Sequence, residues 1–277
     1  MLKYFWRFHS DWLLALALLG CTAGFGQDDS TETSRAPLSV AERDAAIALR
    51  LAVRTYTAPL RWDGSDWLSA GGGAVLTGLA IAADHGTYTT MIRNRSAGNS
   101  RLANAAIRYG DGLDVAVGIG GLYFVGLLVP EPWLRETMVL AGTATLVSAS
   151  FSTVAKFVVG RARPYTGKGN HSFRPFTFSD DYLSFPSGHT VVAFSVSSVL
   201  ADRIANPWAT VGFYGLATAT ALGRLYTLNH WLSDVVPAAL CSIAIGRSIV
   251  RWYEGESESS SLHIVPGPEQ LAIMYEW

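Results

Sequence analysis

Six apolar segments rich in small residues constrain this chain more than any other feature of its sequence. They cover roughly 67–85, 112–129, 133–158, 188–205, 207–225 and 232–251. Alanine, glycine, valine, leucine, serine and threonine predominate in them, and such side chains let helices approach one another closely. Apolar runs of this length are typical of helices rather than strands. The pattern therefore predicts an all-α fold, a helical bundle with about six apolar core helices.

The composition predicts that this bundle lies in or beside a membrane. Charged residues make up 16% of the 277 residues and hydrophobic residues 49%, with a mean hydropathy of +0.23. Several segments are about 17 to 20 residues long, the lower edge of the length that spans a bilayer. A bundle embedded in the membrane, one that only dips into it and one that lies in the periplasm all remain open. The net charge of −1 gives no field that would attract nucleic acid.

The beginning of the chain resembles an export signal. Lys3 and Arg7 supply a basic region, and 12–19 form a short apolar core before small residues. Residues 1–26 are therefore expected to be a signal peptide. The letters LLGC also resemble a lipoprotein processing box, so cleavage, lipidation at Cys21 and an uncleaved anchor stay open. We expect the protein in a bacterial cell envelope, first in the inner membrane, otherwise in the periplasm.

The rest of the chain divides into three parts. Residues 27–66 are expected to form a polar leader and an amphipathic helix, and 67–251 one domain that holds all six segments. In 252–277, two short strand patterns around a Gly–Pro turn predict a β-hairpin over one end of the bundle. An arginine-rich loop is expected at 87–111, on the cytoplasmic side. That cue opposes an outward-facing 159–187 loop, so the sidedness stays open.

Cations stand at the ends of the apolar segments. Lys156 and Arg163 close the third segment, and Arg224 closes the fifth. On a continued helix Lys156 and Arg163 would share one face, although Pro164 ends the element there. Such cations are costly to bury unless they hold an anion. The alternative is a basic flank that reaches lipid headgroups.

Histidines open the fourth and sixth segments. At the head of the fourth, a helix N-terminus at Ser187, Gly188 and His189 offers unpaired N–H groups to an anion. His230 and Asp234 open the sixth, and on a helix this spacing lets the carboxylate fix the imidazole tautomer. Pro237 would then fall near the first turn of that helix. The alternatives are an ordinary N-cap at Ser187 and a histidine–aspartate pair without a catalytic role.

Alternating chain direction brings all these ends to one side of a bundle. Together they suit a phosphate or a similar oxyanion, whose oxygens would be neutralised by Lys156, Arg163 and Arg224. The Ser187 hydroxyl and the N–H groups near Gly188 would complete the cradle. The sequence shows no carboxylate cluster that would bind a metal, so we expect no metal and no other cofactor.

These residues resemble a known family. The match is to the three signature motifs of the type 2 phosphatidic acid phosphatase (PAP2) superfamily, here Lys156-x6-Arg163-Pro164, Pro186-Ser187-Gly188-His189 and Arg224-x5-His230-x3-Asp234. That superfamily includes bacterial lipid phosphatases, soluble periplasmic acid phosphatases and vanadium haloperoxidases. One departure is visible, since Gly223 stands where serine usually precedes the arginine.

The resemblance implies a metal-independent phosphatase that hydrolyses the phosphomonoester or pyrophosphate of a lipid. Phosphatidate, phosphatidylglycerophosphate, a polyprenyl pyrophosphate and lipid A are all candidate substrates. It also implies that His230, oriented by Asp234, attacks phosphorus, and that His189 protonates the leaving alcohol. The alternatives are a soluble acid phosphatase, a vanadate-dependent haloperoxidase and an envelope binding protein with an inactive site.

Three further polar residues lie in the loop 159–187 without a motif. His171 could touch substrate because of its position in this loop. Arg161 and Arg174 are expected to be solvated loop charges, with a lipid headgroup as the alternative contact.

Overall fold

The computed structural model describes residues 39–129, 132–260, 262–266 and 271–275, with side chains as far as residue 255. The predicted signal peptide lies outside these residues, as does most of the polar leader. By its contacts the chain divides into two units, residues 1–46 and 47–277. In the described part of the first unit, Ser39 N donates to Glu42 Oε2 at 2.7 Å and Glu42 N donates to Ser39 Oγ at 3.3 Å. This capping box begins the first helix.

Eight α-helices and two strands lie in the described residues. In chain order they are α1 Val40–Thr57, α2 Gly64–Arg93, α3 Ala97–Ile107, α4 Gly112–Leu128, α5 Pro132–Val159, α6 Gly188–Ile204, α7 Pro207–Tyr226, α8 Leu232–Ser260, β1 Leu262–Pro266 and β2 Leu271–Tyr275. Each predicted apolar segment lies within one helix, apart from a residue at some ends, which confirms the helical class.

The arginine-rich loop predicted at 87–111 is wrong. α2 continues to Arg93, and α3 occupies most of the remaining residues. Ser96 caps α3, since its hydroxyl accepts from Asn99 N at 3.1 Å. This helix escaped notice because alanine alternates in it with serine, asparagine and arginine, which leaves no apolar run. Its position matters because α3 packs on α7.

α6 is the central helix of the bundle. It packs against α5, α7 and α8, and most of its residues are buried. One core cluster joins Val199 of α6 to Leu140 of α5 and Ile249 of α8. Burial of each such side chain contributes about 1.5–3 kcal/mol. The N-terminus of the most buried helix therefore carries the serine–glycine–histidine motif, which gives those residues a fixed position.

Two of the apolar helices lie at the periphery. In α2 only Ala80 and Asp84 are buried, and in α4 only Gly126 is buried. A count of six core helices is therefore not confirmed. α2, α5 and the stretch Leu232–Gly255 of α8 are long and apolar enough to cross a membrane. The pair formed by Ala97–Gly110 and α4, bent by 49°, would make a fourth span. These exposed apolar surfaces support a membrane location.

The two strands close the described chain. β1 and β2 pair antiparallel, with Ile264 opposite Ile273. For these strands the structure describes the backbone pairing and not the side chains. That a stable hairpin covers one end of the bundle stays a prediction.

A glycine turns the chain back on itself at the end of α5. Gly160 has φ +57, and Arg174 N donates to its carbonyl oxygen at 2.6 Å. A Cβ atom at position 160 would lie 1.8 Å from the Arg174 carbonyl oxygen. Only glycine fits both the left-handed conformation and this close approach. The crossing holds the 160–187 loop against the end of α5.

We expect Gly160→Ala to lower the free energy of unfolding by about 1–3 kcal/mol more than Gly167→Ala does. Gly167 is the matched control, because it has φ +69 but nothing within 4 Å of its Cβ position. It therefore reports the cost of the left-handed backbone without the clash. Unfolding midpoints measured in detergent compare the two variants. Equal midpoints would show that the crossing does not hold the loop.

Candidate active site

Hydrogen bonds tie together the helix ends that the sequence motifs occupy. Lys156, in the last turn of α5, donates from Nζ to Leu183 O at 3.0 Å and to Pro186 O at 2.5 Å. Ser187 N, at the start of α6, donates to Asp234 O at 3.0 Å, in the first turn of α8. The end of α5 and the beginnings of α6 and α8 therefore meet at one end of the bundle.

His230 lies in the turn before α8, not on the helix. Its Nδ1 lies 2.7 Å from Ser184 O. Because a carbonyl oxygen only accepts, Nδ1 carries the proton and Nε2 keeps its lone pair. The distance from Nδ1 to Asp234 Oδ2 is 3.8 Å, too long for a hydrogen bond. The predicted helical pairing is wrong at this point, and Pro237 lies in the second turn of α8 rather than the first.

Asp234 accepts from three donors, two of which belong to residues next to His230. Its Oδ2 accepts from Ser184 Oγ at 2.5 Å and from Trp231 N at 2.7 Å, and its Oδ1 from Arg161 Nη1 at 2.6 Å. Ser184 thus bonds to both partners, with its hydroxyl on the carboxylate and its carbonyl on the imidazole. Asp234 consequently orients His230 through Ser184 and the backbone at Trp231.

Arg161 connects this carboxylate to a second one on α2. Its Nη2 lies 2.8 Å from Asp84 Oδ2, and the two side chains are 4% and 0% exposed. Asp84 also accepts from Ser233 N at 3.0 Å and from Ser233 Oγ at 2.7 Å. The prediction that Arg161 is a solvated loop charge is wrong. Asp84 was not singled out, although an ionisable residue within an apolar helix is itself a signal of a functional site.

Arg163 reaches the site from a loop. α5 ends at Val159, so Lys156 and Arg163 do not share one helix face. Arg163 donates from Nε to Asp180 O at 2.8 Å and from Nη1 to Asn229 Oδ1 at 3.1 Å, and its Nη2 pairs with Asp180 Oδ1 at 2.9 Å. These contacts hold the guanidinium beside the turn that carries His230.

Ser187 is the N-cap of α6 but makes no side-chain cap bond. Its buried hydroxyl accepts from Thr190 Oγ1 at 2.9 Å. This contact leaves the proton of the Ser187 hydroxyl available to an acceptor at the helix N-terminus.

The electrostatic surroundings of His230 show which charged groups lie near its ring. Burial lowers the pKa of His230 well below its usual value of 6.5, and nearby cations lower it further. In order of their effect, the charged neighbours are Arg224, Lys156, Arg163 and His189. The structure therefore brings the three predicted cations and both histidines to one place, around a ring that stays neutral.

His189, in the first turn of α6, faces a residue that the sequence analysis missed. Its Nε2 lies 3.7 Å from Asp111 Oδ2, and both side chains are partly exposed. Asp111 is the N-cap of α4. The preceding Gly110 packs so tightly that a Cβ there would lie 2.3 Å from His189 O. The approach to α4 therefore forms one wall of the site.

The departure at Gly223 has a packing reason. A Cβ at this position would lie 2.9 Å from Ala103 O and 2.9 Å from the Ile107 side chain of α3. Serine would force α3 away from α7. Glycine at 223 thus follows from the helix that the sequence analysis missed.

Comparison with known proteins gives a family match for the part of the chain that carries the motifs. Residues 137–258, which contain all three motifs, match the family model of the PAP2 superfamily. The resemblance seen in the sequence is thereby confirmed.

Individual PAP2 proteins give further similarities. The chain is 32% identical over 93 residues to a lipid A 1-phosphatase from Porphyromonas gingivalis, a stretch covering 33% of this chain and 18% of that protein. The chain thus matches less than a fifth of this relative's length. The solved structure of LpxE from Aquifex aeolicus has 17% identity and a TM-score of 0.46, covering 61% of this chain and 94% of that one. A transmembrane PAP2-type phosphatidylglycerolphosphate phosphatase from Bacillus subtilis has 16% identity and a TM-score of 0.49, covering 77% and 96%.

We expect Arg161→Met to destabilise the protein by about 3–5 kcal/mol, because it leaves two buried carboxylates without their shared cation. The added substitution Asp84→Asn removes one of these charges, so the double variant should recover part of the loss. Arg101→Met, at an exposed position of α3, is the control. Unfolding midpoints in detergent measure all three. A single variant as stable as the control would show that the bridge contributes nothing.

Proposed function

We propose that this protein is a phosphatase of the PAP2 type that removes a phosphate from a lipid through a phosphohistidine on His230. The observation that carries the proposal is the state of this imidazole. The Ser184 carbonyl holds Nδ1–H, so the Nε2 lone pair is available, and the ring stays neutral among cations. A buried, neutral and oriented imidazole beside an anion cradle suits nucleophilic attack on phosphorus.

The cations supply the binding energy for the phosphate. Lys156, Arg163 and Arg224 neutralise the oxygens, and their hydrogen bonds to a charged acceptor are about twice as strong as neutral ones. The N-terminus of α6 adds the Ser187 hydroxyl and backbone N–H groups near Gly188. As charge shifts over the three equatorial oxygens in the transition state, the same donors stabilise it.

The reaction proceeds in two steps. His230 Nε2 attacks phosphorus, the bond from phosphorus to the alcohol oxygen breaks, and His189 gives its proton to that oxygen. His189 then takes a proton from water, whose oxygen attacks the phosphohistidine and releases phosphate. Asp234, through Ser184 and the backbone at Trp231, keeps the ring in position while positive charge develops on it.

A lipid substrate is favoured by the surfaces around the site. α2 and α4 expose apolar side chains along most of their length, so a lipid tail has apolar surface beside the cradle. The similar Porphyromonas gingivalis protein is a lipid A 1-phosphatase by name. We propose the same chemical class of substrate here, a phosphorylated lipid of the cell envelope.

The decisive experiment is phosphate release from a panel of lipid phosphates and one soluble aryl phosphate, in excess chelator. We expect turnover to survive chelation and to fall by more than about 10³-fold in His230→Ala, because the nucleophile is lost. His85→Ala, an exposed histidine of α2, should keep wild-type activity. Equal release by His230→Ala would disprove the nucleophile. Turnover of the aryl phosphate alone would indicate a soluble-type acid phosphatase.

No release from any substrate would sink the phosphatase proposal. Halide oxidation with added vanadate would then indicate a haloperoxidase. Inactivity in that assay as well would leave an envelope binding protein.

The low pKa of His230 predicts activity in acid solution. His230 must be neutral to attack, and it takes up a proton only well below pH 6.5. The acid limb of kcat/KM should therefore have its midpoint below 6.5, after correction for ionisation of the substrate. In the unfolded chain this histidine binds a proton near pH 6.5, whereas in the folded protein it does so only at lower pH. The free energy of unfolding should therefore decrease as the pH falls below 6.5. A midpoint of the kcat/KM profile at or above pH 6.5 would contradict the assignment of His230 as the nucleophile.

A further inference from the structure

Three exposed phenylalanines lie on the loop beside the candidate active site. Phe173, Phe176 and Phe178 are 51%, 67% and 60% exposed. Backbone contacts hold this loop, since Phe173 forms a β-bridge with Arg161 and Phe176 N donates to Phe157 O at 2.7 Å. These three side chains, called here the aromatic rim, are thus presented outward by a fixed backbone. So much exposed aromatic surface in one loop indicates that an apolar environment covers it.

The rim continues an exposed apolar face of α5. Phe151, Val154 and Val158 stand three and four residues apart and are 45%, 63% and 45% exposed, so they share one side of this candidate membrane span. Phe157, on the same helix, packs its ring against Phe176 at 5.6 Å and against Phe178 at 4.8 Å between centroids. The rim therefore packs on the same helix that presents this face, and a single apolar medium suits both.

A basic residue interrupts the rim. Arg174 is exposed and stands between Phe173 and Phe176. Aromatic rings alternating with a cation at the end of an apolar helix match the boundary between lipid headgroups and acyl chains. A soluble partner on the rim would leave the exposed face of α5 in water, so a lipid surface fits the whole patch better.

The rim is also tied to the phosphate-binding side of the site. Ala162 N donates to Ser172 O at 2.8 Å, and Arg163 N donates to Asp181 O at 2.8 Å. The segment that carries Arg163 therefore runs alongside the segment that carries the rim. Because the two segments are tied together, the depth of the rim in a membrane would fix the depth of the phosphate cradle.

We propose that the aromatic rim inserts into the membrane at the headgroup boundary, with Arg174 on lipid phosphates, and so holds the active site at the level of the substrate's phosphate. The membrane contact follows from the rim and α5. The consequence for catalysis rests on the proposed lipid phosphatase function.

The first test measures depth and does not depend on activity. The full-length protein carries a nitroxide on p-acetylphenylalanine in place of Phe176, in vesicles of phosphatidylcholine and phosphatidylglycerol. We expect the label to collide more with oxygen than with a water-soluble nickel chelate, as at the lipid boundary. The same label at Lys168, on the same loop, should prefer the chelate. A label at 176 that is as wet as at 168 overturns the proposal. So does spin–spin broadening, which would place a second copy of the chain on the rim.

The second test measures substrate capture. The variant Phe173→Ser/Phe176→Asn removes two rings, with asparagine chosen because Phe176 has φ +57. We expect kcat/KM for a lipid phosphate in these vesicles to fall by about tenfold or more, and the rate with a soluble aryl phosphate to stay within about twofold. Trp208→Ser is the control, since this 83% exposed aromatic begins α7, at the other end of that helix from Arg224.

Each outcome of the second test has a distinct meaning. Equal losses on both substrates would show that the rim only supports the site, and an unchanged lipid rate would show that it does not face the membrane. Either result overturns the proposal. If the wild-type protein turns over no substrate at all, the proposed function fails, and the depth measurement alone decides the membrane contact.

Discussion

The bridge of Arg161 between Asp84 and Asp234 is the interaction on which the rest of the site depends. It joins α2, the loop after α5 and the first turn of α8 through contacts of 2.6 to 2.8 Å. Burying three charges is costly unless their hydrogen-bonding groups are satisfied. Here Arg161 Nε donates to Asn170 O at 3.0 Å, and both carboxylates accept further bonds. The network is therefore tolerated in the interior, and Asp234 keeps one position beside His230.

The segment before α6 orients the imidazole ring of His230. The carbonyl oxygens of Leu183 and Pro186 accept from Lys156, and that of Ser184 accepts from the His230 ring. A backbone carbonyl cannot donate, so it assigns the imidazole tautomer without a titratable partner. The nearest carboxylate stays 3.8 Å from the ring. Burial, and after it the surrounding cations, lowers the pKa of His230 and so keeps the imidazole neutral, as the proposed nucleophile requires.

The apolar surfaces complement this polar interior. α6, buried at the centre, begins at the candidate anion cradle, while α2, α4 and one face of α5 turn their apolar side chains outward. A protein in water would gain stability by burying these faces. A membrane removes that requirement, and it also supplies the proposed substrate. The arrangement thus links a buried charged site to a surface suited to lipid.

The sequence by itself determined the six apolar helices, though not α3, and it pointed to the candidate reactive groups. Apolar period and motif spacing are local, so they located the helix ends that carry Lys156, Ser187 and Arg224 to within a few residues. Only the tertiary structure decided how the groups connect. The partners Asp84 and Arg161 are 77 residues apart, and no local pattern predicts such a pair. The position of His230 off the helix likewise depends on Ser184, 46 residues away, because the hydrogen bond that orients the ring forms only after α5, α6 and α8 have packed together.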